Sequence, residues 1–85
     1  MSLHLVFSKP GWQACQRLTK PEDVVVLLGD GTYLARQAFQ HRHVFVLQED
    51  LDVRGIHAHA ELRGITYAQL VELTVQHKPV VSWSR

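Results

Sequence analysis

The chain has 85 residues, 46% of them hydrophobic, with nine Lys or Arg against eight Asp or Glu and a formal charge of +1. That length holds one domain, residues 1–85, whose modest core buries about 60 to 65% of the surface an unfolded chain exposes, and the apolar excess predicts cover by other subunits. Basic residues scattered singly give no support to a direct nucleic-acid or anionic-membrane surface, and neither is expected. One cysteine, Cys15, excludes an internal disulfide and points to a reducing compartment, with the cytoplasm as the default. No stretch approaches the roughly 20 apolar residues of a membrane span, and MSLHLVFSKP lacks the basic and apolar regions of a secretory leader.

The first predicted strand is Leu3 to Phe7, closed by Ser8-Lys9-Pro10-Gly11, where Pro10 suits a turn or a first helical position. A short helix follows over Trp12 to Leu18 and stops at Lys20-Pro21. Val24 to Leu28 is an apolar run without polar alternation, the pattern of a strand covered on both faces, so it belongs at the centre of a parallel sheet. Gly29-Asp30-Gly31 lies just beyond it. Ligands of open α/β sheets gather beyond the carboxyl ends of the strands, so the functional face is expected near Asp30. Asp30 also has the chemistry to cap a second helix over Thr32 to Phe39.

His43 to Leu47 makes a third strand, and Gln48 to Asp52 begins a polar connection or short helix that runs to Arg54-Gly55. A fourth, short strand is expected around Ile56 or Ile65. From Tyr67 to His77 the apolar positions Leu70, Val71, Leu73 and Thr74 recur at helical spacing. Lys78-Pro79 ends that helix, and Val80 to Trp83 supplies a last strand. Strands alternating with short helices imply an α/β fold: a single three-layer α/β/α sandwich around a mainly parallel sheet of four to five strands.

Cys15 is the candidate site residue, being the only group capable of thiolate nucleophilicity or persulfide formation. Lys9, Arg17 and Lys20 lie near it in sequence and could supply positive potential. The opposing reading is an inert thiol on the inner side of the first helix. Two H-x-H pairs, His41 with His43 and His57 with His59, could each place two imidazoles on one metal, but neither has a third ligand at a fitting spacing, so no metal site is expected. His4 and His77 read as structural. Glu49, Asp50 and Asp52 read as a solvated helix start favoured by the macrodipole. Gly29-Asp30-Gly31 lacks the rest of either nucleotide-binding glycine pattern, and no cofactor is expected.

Several local signatures then occur in one order: Leu3-His4 before Lys9-Pro10, the apolar strand with Asp30-Gly31, and Val46-Leu47-Gln48-Glu49-Asp50-Leu51 with Arg54-Gly55. Ile65-Thr66-Tyr67 follows, leading into Leu70-Val71-Glu72-Leu73-Thr74-Val75-Gln76-His77, with Trp83 near the end. Together they span nearly the whole chain, and the chain resembles the TusB/DsrH family of sulfur-relay subunits. The resemblance implies a DsrE-like fold and an accessory place in a three-protein complex, TusBCD or DsrEFH, built as a dimer of heterotrimers. TusC-like and TusD-like subunits would be the direct partners. In the Tus branch such a complex takes persulfide sulfur from TusA and passes it to TusE, toward 2-thiolation of tRNA wobble uridine, and the sulfur-carrying cysteine belongs to TusD. In the DsrH branch, tied to sulfur oxidation, a cysteine stands in the first helix as Cys15 does here, which would make Cys15 a sulfur acceptor. A third reading is a homo-oligomeric α/β binding protein outside the relay. The chain is shorter than the family pattern between Leu34 and His43 and around Ala58 to Arg63.

Overall fold

The computed structural model describes residues 1–84 and holds five strands in one sheet, all parallel. The strands are β1 (Leu3–Val6), β2 (Val24–Leu27), β3 (Val44–Leu47), β4 (Arg63–Ile65) and β5 (Val80–Trp83), in spatial order β4-β3-β2-β1-β5. β2 is the middle strand and all four of its residues are buried. This is the environment that its unbroken apolar run requires, because a parallel sheet is covered on both faces. Leu3 pairs with Val24 on one side and with Val80 on the other, so β1 lies between β2 and the C-terminal strand.

Alternation along the strands sends successive side chains to opposite faces. On one face Val6, Val25, Leu27, Val44 and Val46 meet Cys15, Leu34, Ala35 and Leu51, which come from three successive helical segments. These are α1 (Lys9–Cys15), the 3-10 helix Gly29–Arg36 and α2 (Gln48–Arg54). On the other face Leu3, Val24, Val26, Leu47 and Ile65 meet Leu70 and Leu73 of α3 (Tyr67–Gln76). The chain steps from β1 to β4 in one direction and then returns past β1 to β5. Crossovers in parallel sheets keep one hand, so the reversed step places α3 alone on the far side. A single helix covers that face, and the outward residues Tyr67, Val71 and Val75 of α3 remain exposed.

The helix boundaries follow local chemistry. α1 begins earlier than the expected Trp12, because the Ser8 hydroxyl caps it by accepting the Gly11 amide at 3.0 Å and Pro10 sits in the first turn. α3 opens on a full capping box: the Thr66 hydroxyl accepts the Gln69 amide and the Gln69 side chain accepts the Thr66 amide. α2 stops at Gly55, whose left-handed backbone (φ 63°) suits glycine.

The segment after β2 departs from expectation. It is a 3-10 helix over Gly29–Arg36 instead of an α-helix over Thr32 to Phe39. Its buried residues are Gly31, Thr32, Leu34 and Ala35, a spacing of three, which matches the three residues per turn of a 3-10 helix. Asp30 does not cap it; the cap position is Leu28, and the Asp30 side chain points to solvent.

Candidate functional site

The carboxyl edge of the sheet carries a group of interacting polar side chains. β2 runs into Gly29, which takes positive φ (56°) and donates its amide to Asp50 Oδ2 at 2.7 Å. Gly31 is pressed against the end of β1, where a Cβ would fall on the Val6 carbonyl oxygen. The turn is therefore pinned to β1 below and to α2 beside it. Because the 3-10 helix repeats every three residues, Asp30, Tyr33 and Arg36 share one outward ridge, and all three are exposed.

Arg54 of α2 reaches this ridge. Its Nη2 lies 3.4 Å from Asp30 Oδ1 and its Nη1 lies 3.8 Å from Asp50 Oδ1. Its guanidinium carbon is 6.0 Å from the centre of the Tyr33 ring, and that of Arg36 is 5.6 Å from the same centre. Two cations thus flank one exposed phenol at distances where ring and cation attract. One guanidinium serves both carboxylates, and among the described residues the edge has no nucleophile held against a base. The arrangement is one of charge and aromatic contact, the composition of a recognition surface.

Cys15 stands elsewhere. It is the last residue of α1, on the face of the sheet shared with the 3-10 helix, and it is fully buried. Its Sγ lies 3.1 Å from Thr19 Oγ1, while the Thr19 hydroxyl donates to the Cys15 carbonyl at 2.7 Å. Burial pushes the thiol above its ordinary value, and the Asp23 carboxylate adds to that; the Thr19 contact opposes them only in part. Lys9, Arg17 and Lys20 are all exposed. Thr19 and Trp12 also line a groove of about 1090 Å³ between α1 and residues 37–43, so Cys15 lies a layer beneath that groove's wall.

Neither histidine pair is arranged for a metal. His41 and His43 have ring centres 6.4 Å apart and nearly perpendicular planes, and His41 Nε2 donates to the Asp23 carbonyl at 2.7 Å. His59 Nδ1 accepts the Glu61 amide at 3.2 Å. Among the described residues no three His, Cys, Asp or Glu side chains converge as a metal site.

A third polar group was not singled out by its neighbours in sequence. His4 is buried at 4% exposure, with Nε2 3.0 Å from Asp23 Oδ2 and Nδ1 accepting the Trp83 indole N–H at 3.0 Å. Asp23, 3% exposed, also accepts the amides of Ser2 and Lys20, each at 3.0 Å. Burial alone would raise its carboxyl, but the His4 hydrogen bond and those two amides outweigh burial and hold it at about 2. The signal in the sequence was a histidine between Leu3 and Leu5, on the inward side of an apolar strand.

Residues 6–80 match the family model described as DsrH like protein. The chain belongs to the TusB/DsrH family. This DsrH-like chain is 32% identical over 80 residues to Protein TusB of Serratia proteamaculans, covering 82% of the chain and 84% of that protein. It is 29% identical over 68 residues to Protein TusB of Buchnera aphidicola subsp. Schizaphis graminum, covering 78% and 72%. Among solved structures it resembles the solution NMR structure of Protein Tm0979 from Thermotoga maritima, with a TM-score of 0.69 and 26% identity over 89% of this chain and 93% of that one. The family and the α/β fold expected of this DsrH-like chain are those it has. No helix among its described residues is long and apolar enough to cross a membrane.

Proposed function

We propose that the chain is an accessory subunit of a sulfur-relay complex that carries persulfide sulfur toward 2-thiolation of tRNA wobble uridine. Its direct partners are TusC-like and TusD-like subunits, with TusA-like and TusE-like carriers meeting the complex, and it works in the cytoplasm. The observation that carries this reading is the state of Cys15. A family member whose only cysteine is fully buried, with its thiol pushed up, is poorly equipped to exchange sulfur itself. The transferable sulfur then belongs on a partner's cysteine. Exposed Tyr67, Val71 and Val75 on α3 support burial against such a partner, because a wet apolar stripe on a small domain gains by being covered.

The test is the native mass of the tagged protein recovered from its own cells, with its companions identified. Recovery with TusC-like and TusD-like chains in a heterohexamer, together with loss of tRNA 2-thiouridine when the gene is deleted, is the expected result. Recovery alone as a homo-oligomer, with thiolation intact, would remove the chain from the relay.

A second reading makes the chain a DsrH-like subunit in sulfur oxidation, with Cys15 as sulfur acceptor. The placement of Cys15 in α1, the helix where the DsrH branch carries its cysteine, favours it. It requires that Thr19 move aside. Persulfide on Cys15 after treatment of the complex with a sulfur donor, absent from Cys15→Ser, would establish it.

A further inference from the structure

Half-buried Trp83 and buried His4 and Asp23 form a file that the relay reading leaves unused. The indole nitrogen of Trp83 can only donate, so Nδ1 of His4 must be the acceptor of their 3.0 Å bond. The Asp23 carboxylate only accepts, so Nε2 carries the ring hydrogen that it receives at 3.0 Å. One neutral tautomer of His4 therefore bridges the C-terminal strand to the turn before β2. A ring with hydrogens on both nitrogens can keep Asp23 but not Trp83, because Nδ1–H would then face the indole N–H.

We propose that His4 is a proton-operated latch on β5: when the ring gains its second proton it keeps Asp23 and releases the indole of Trp83. Histidine is the side chain suited to such a change near neutral pH. The charged and titratable groups around it are few. Asp23 faces it from the turn before β2, Cys15 lies near that carboxylate from α1, and His41 reaches the Asp23 carbonyl from the connection before β3. Lys20 and Ser2 approach Asp23 through backbone amides.

Release would be felt at the carboxyl edge of the sheet. β5 is an outer strand, paired among the described residues with β1 alone. The Trp83 carbonyl accepts the Phe7 amide at 3.0 Å and lies so close to Gly11 that a Cβ there would strike it. Ser8, which caps α1, donates its hydroxyl to the Ser84 carbonyl at 2.9 Å. The indole is thus the inner anchor of a strand end whose backbone holds both the end of β1 and the first turn of α1. Freeing it would loosen these together.

The latch depends on the fold and not on the sulfur-relay reading, and its test uses the isolated full chain. Nitrogen-15 NMR would follow the His4 ring, the Trp83 indole N–H and the Gly11 amide from pH 8 to pH 5. The expected result is a single titration in which Nδ1 gains its proton, the Trp83 indole loses its hydrogen-bonded shift and exchanges roughly fivefold faster, the factor of one typical net hydrogen bond. The Gly11 amide moves with the same midpoint. Trp83→Phe keeps an aromatic ring in place and removes the donor, so the Gly11 response should disappear while the His4 ring still titrates. A ring that holds its one tautomer across the whole range, or an indole signal that stays fixed while the ring titrates, would overturn the latch.

Discussion

The Gly29 amide meets the Asp50 carboxylate at 2.7 Å, joining the turn after β2 to the first turn of the helix after β3. Two neighbouring strand ends are tied by this bond, and the same carboxylate helps hold Arg54 over Tyr33. Replacing Asp50 by alanine leaves the Gly29 amide without its charged acceptor. The expected loss is about 1 to 2 kcal/mol, since the site is partly open to water. Urea unfolding of Asp50→Ala beside Asp30→Ala checks it. Asp30 is mostly exposed and its pair with Arg54 is worth little, so its removal should change the midpoint hardly at all.

Gly31 and Gly55 are both glycines for different reasons, and alanine separates them. At Gly31 a Cβ would collide with the Val6 carbonyl oxygen, a backbone atom that moves only with β1. Gly31→Ala should cost about 3 kcal/mol and disturb the β1 end. At Gly55 there is open space, but φ is 63°, so the cost is only the strain of a left-handed alanine, about 1 kcal/mol. Equal losses at the two positions would mean that the close approach at Gly31 has been relieved by a shift of the turn.

Much of this architecture is legible in the residues. The apolar runs Val24 to Leu28 and His43 to Leu47 announce buried parallel strands, and Leu70 with Leu73 marks the core side of α3. Each of these signals is local, because strand burial and helix spacing show in a few consecutive side chains. The 3-10 helix was hidden for a physical reason. Residues 29–36 place apolar groups where either helical period could serve, and the shorter period prevails where Gly31, Thr32, Leu34 and Ala35 face inward together. Asp30 has the type and position of a cap, yet the 3-10 helix starts at Gly29, ahead of it, so the cap position falls on Leu28 and the Asp30 carboxylate turns to solvent and Arg54. The His4 network was equally hidden, since its members lie at positions 4, 23 and 83 and only the sheet order brings them together.

Asp23 makes stability depend on acid. Its carboxyl is held at about 2 in the folded chain against an ordinary 3.8, so the folded state binds its proton less readily than the unfolded state does. The resulting stabilisation is fully present above about pH 4 and is lost as pH falls through 2, an amount near 2 kcal/mol. Asp23→Asn cannot ionise and should lack this part of the pH dependence. Urea midpoints of both proteins from pH 6 to pH 2 measure it: the gap between them should hold down to about pH 4 and narrow toward pH 2. A constant gap would show that the charge at Asp23 contributes nothing.

Cys15 offers the sharpest chemical prediction. A thiol that is fully buried and pushed up stays protonated through neutral pH, and the thiolate is the reacting form. In the native chain it should react with a disulfide reagent orders of magnitude more slowly than after unfolding, with a rate set by opening of the structure around α1. Stabilising the fold should slow labelling in proportion to the fall in the opened population. Cys15→Ser exchanges a weak donor for a hydroxyl against Thr19, at an expected cost of about 1 to 2 kcal/mol. If sulfur passes through a partner's cysteine, that variant should still support tRNA 2-thiouridine when expressed at a temperature where it remains folded. Rapid native labelling, joined to loss of 2-thiouridine in a folded Cys15→Ser chain, would move the transferable sulfur onto Cys15 itself.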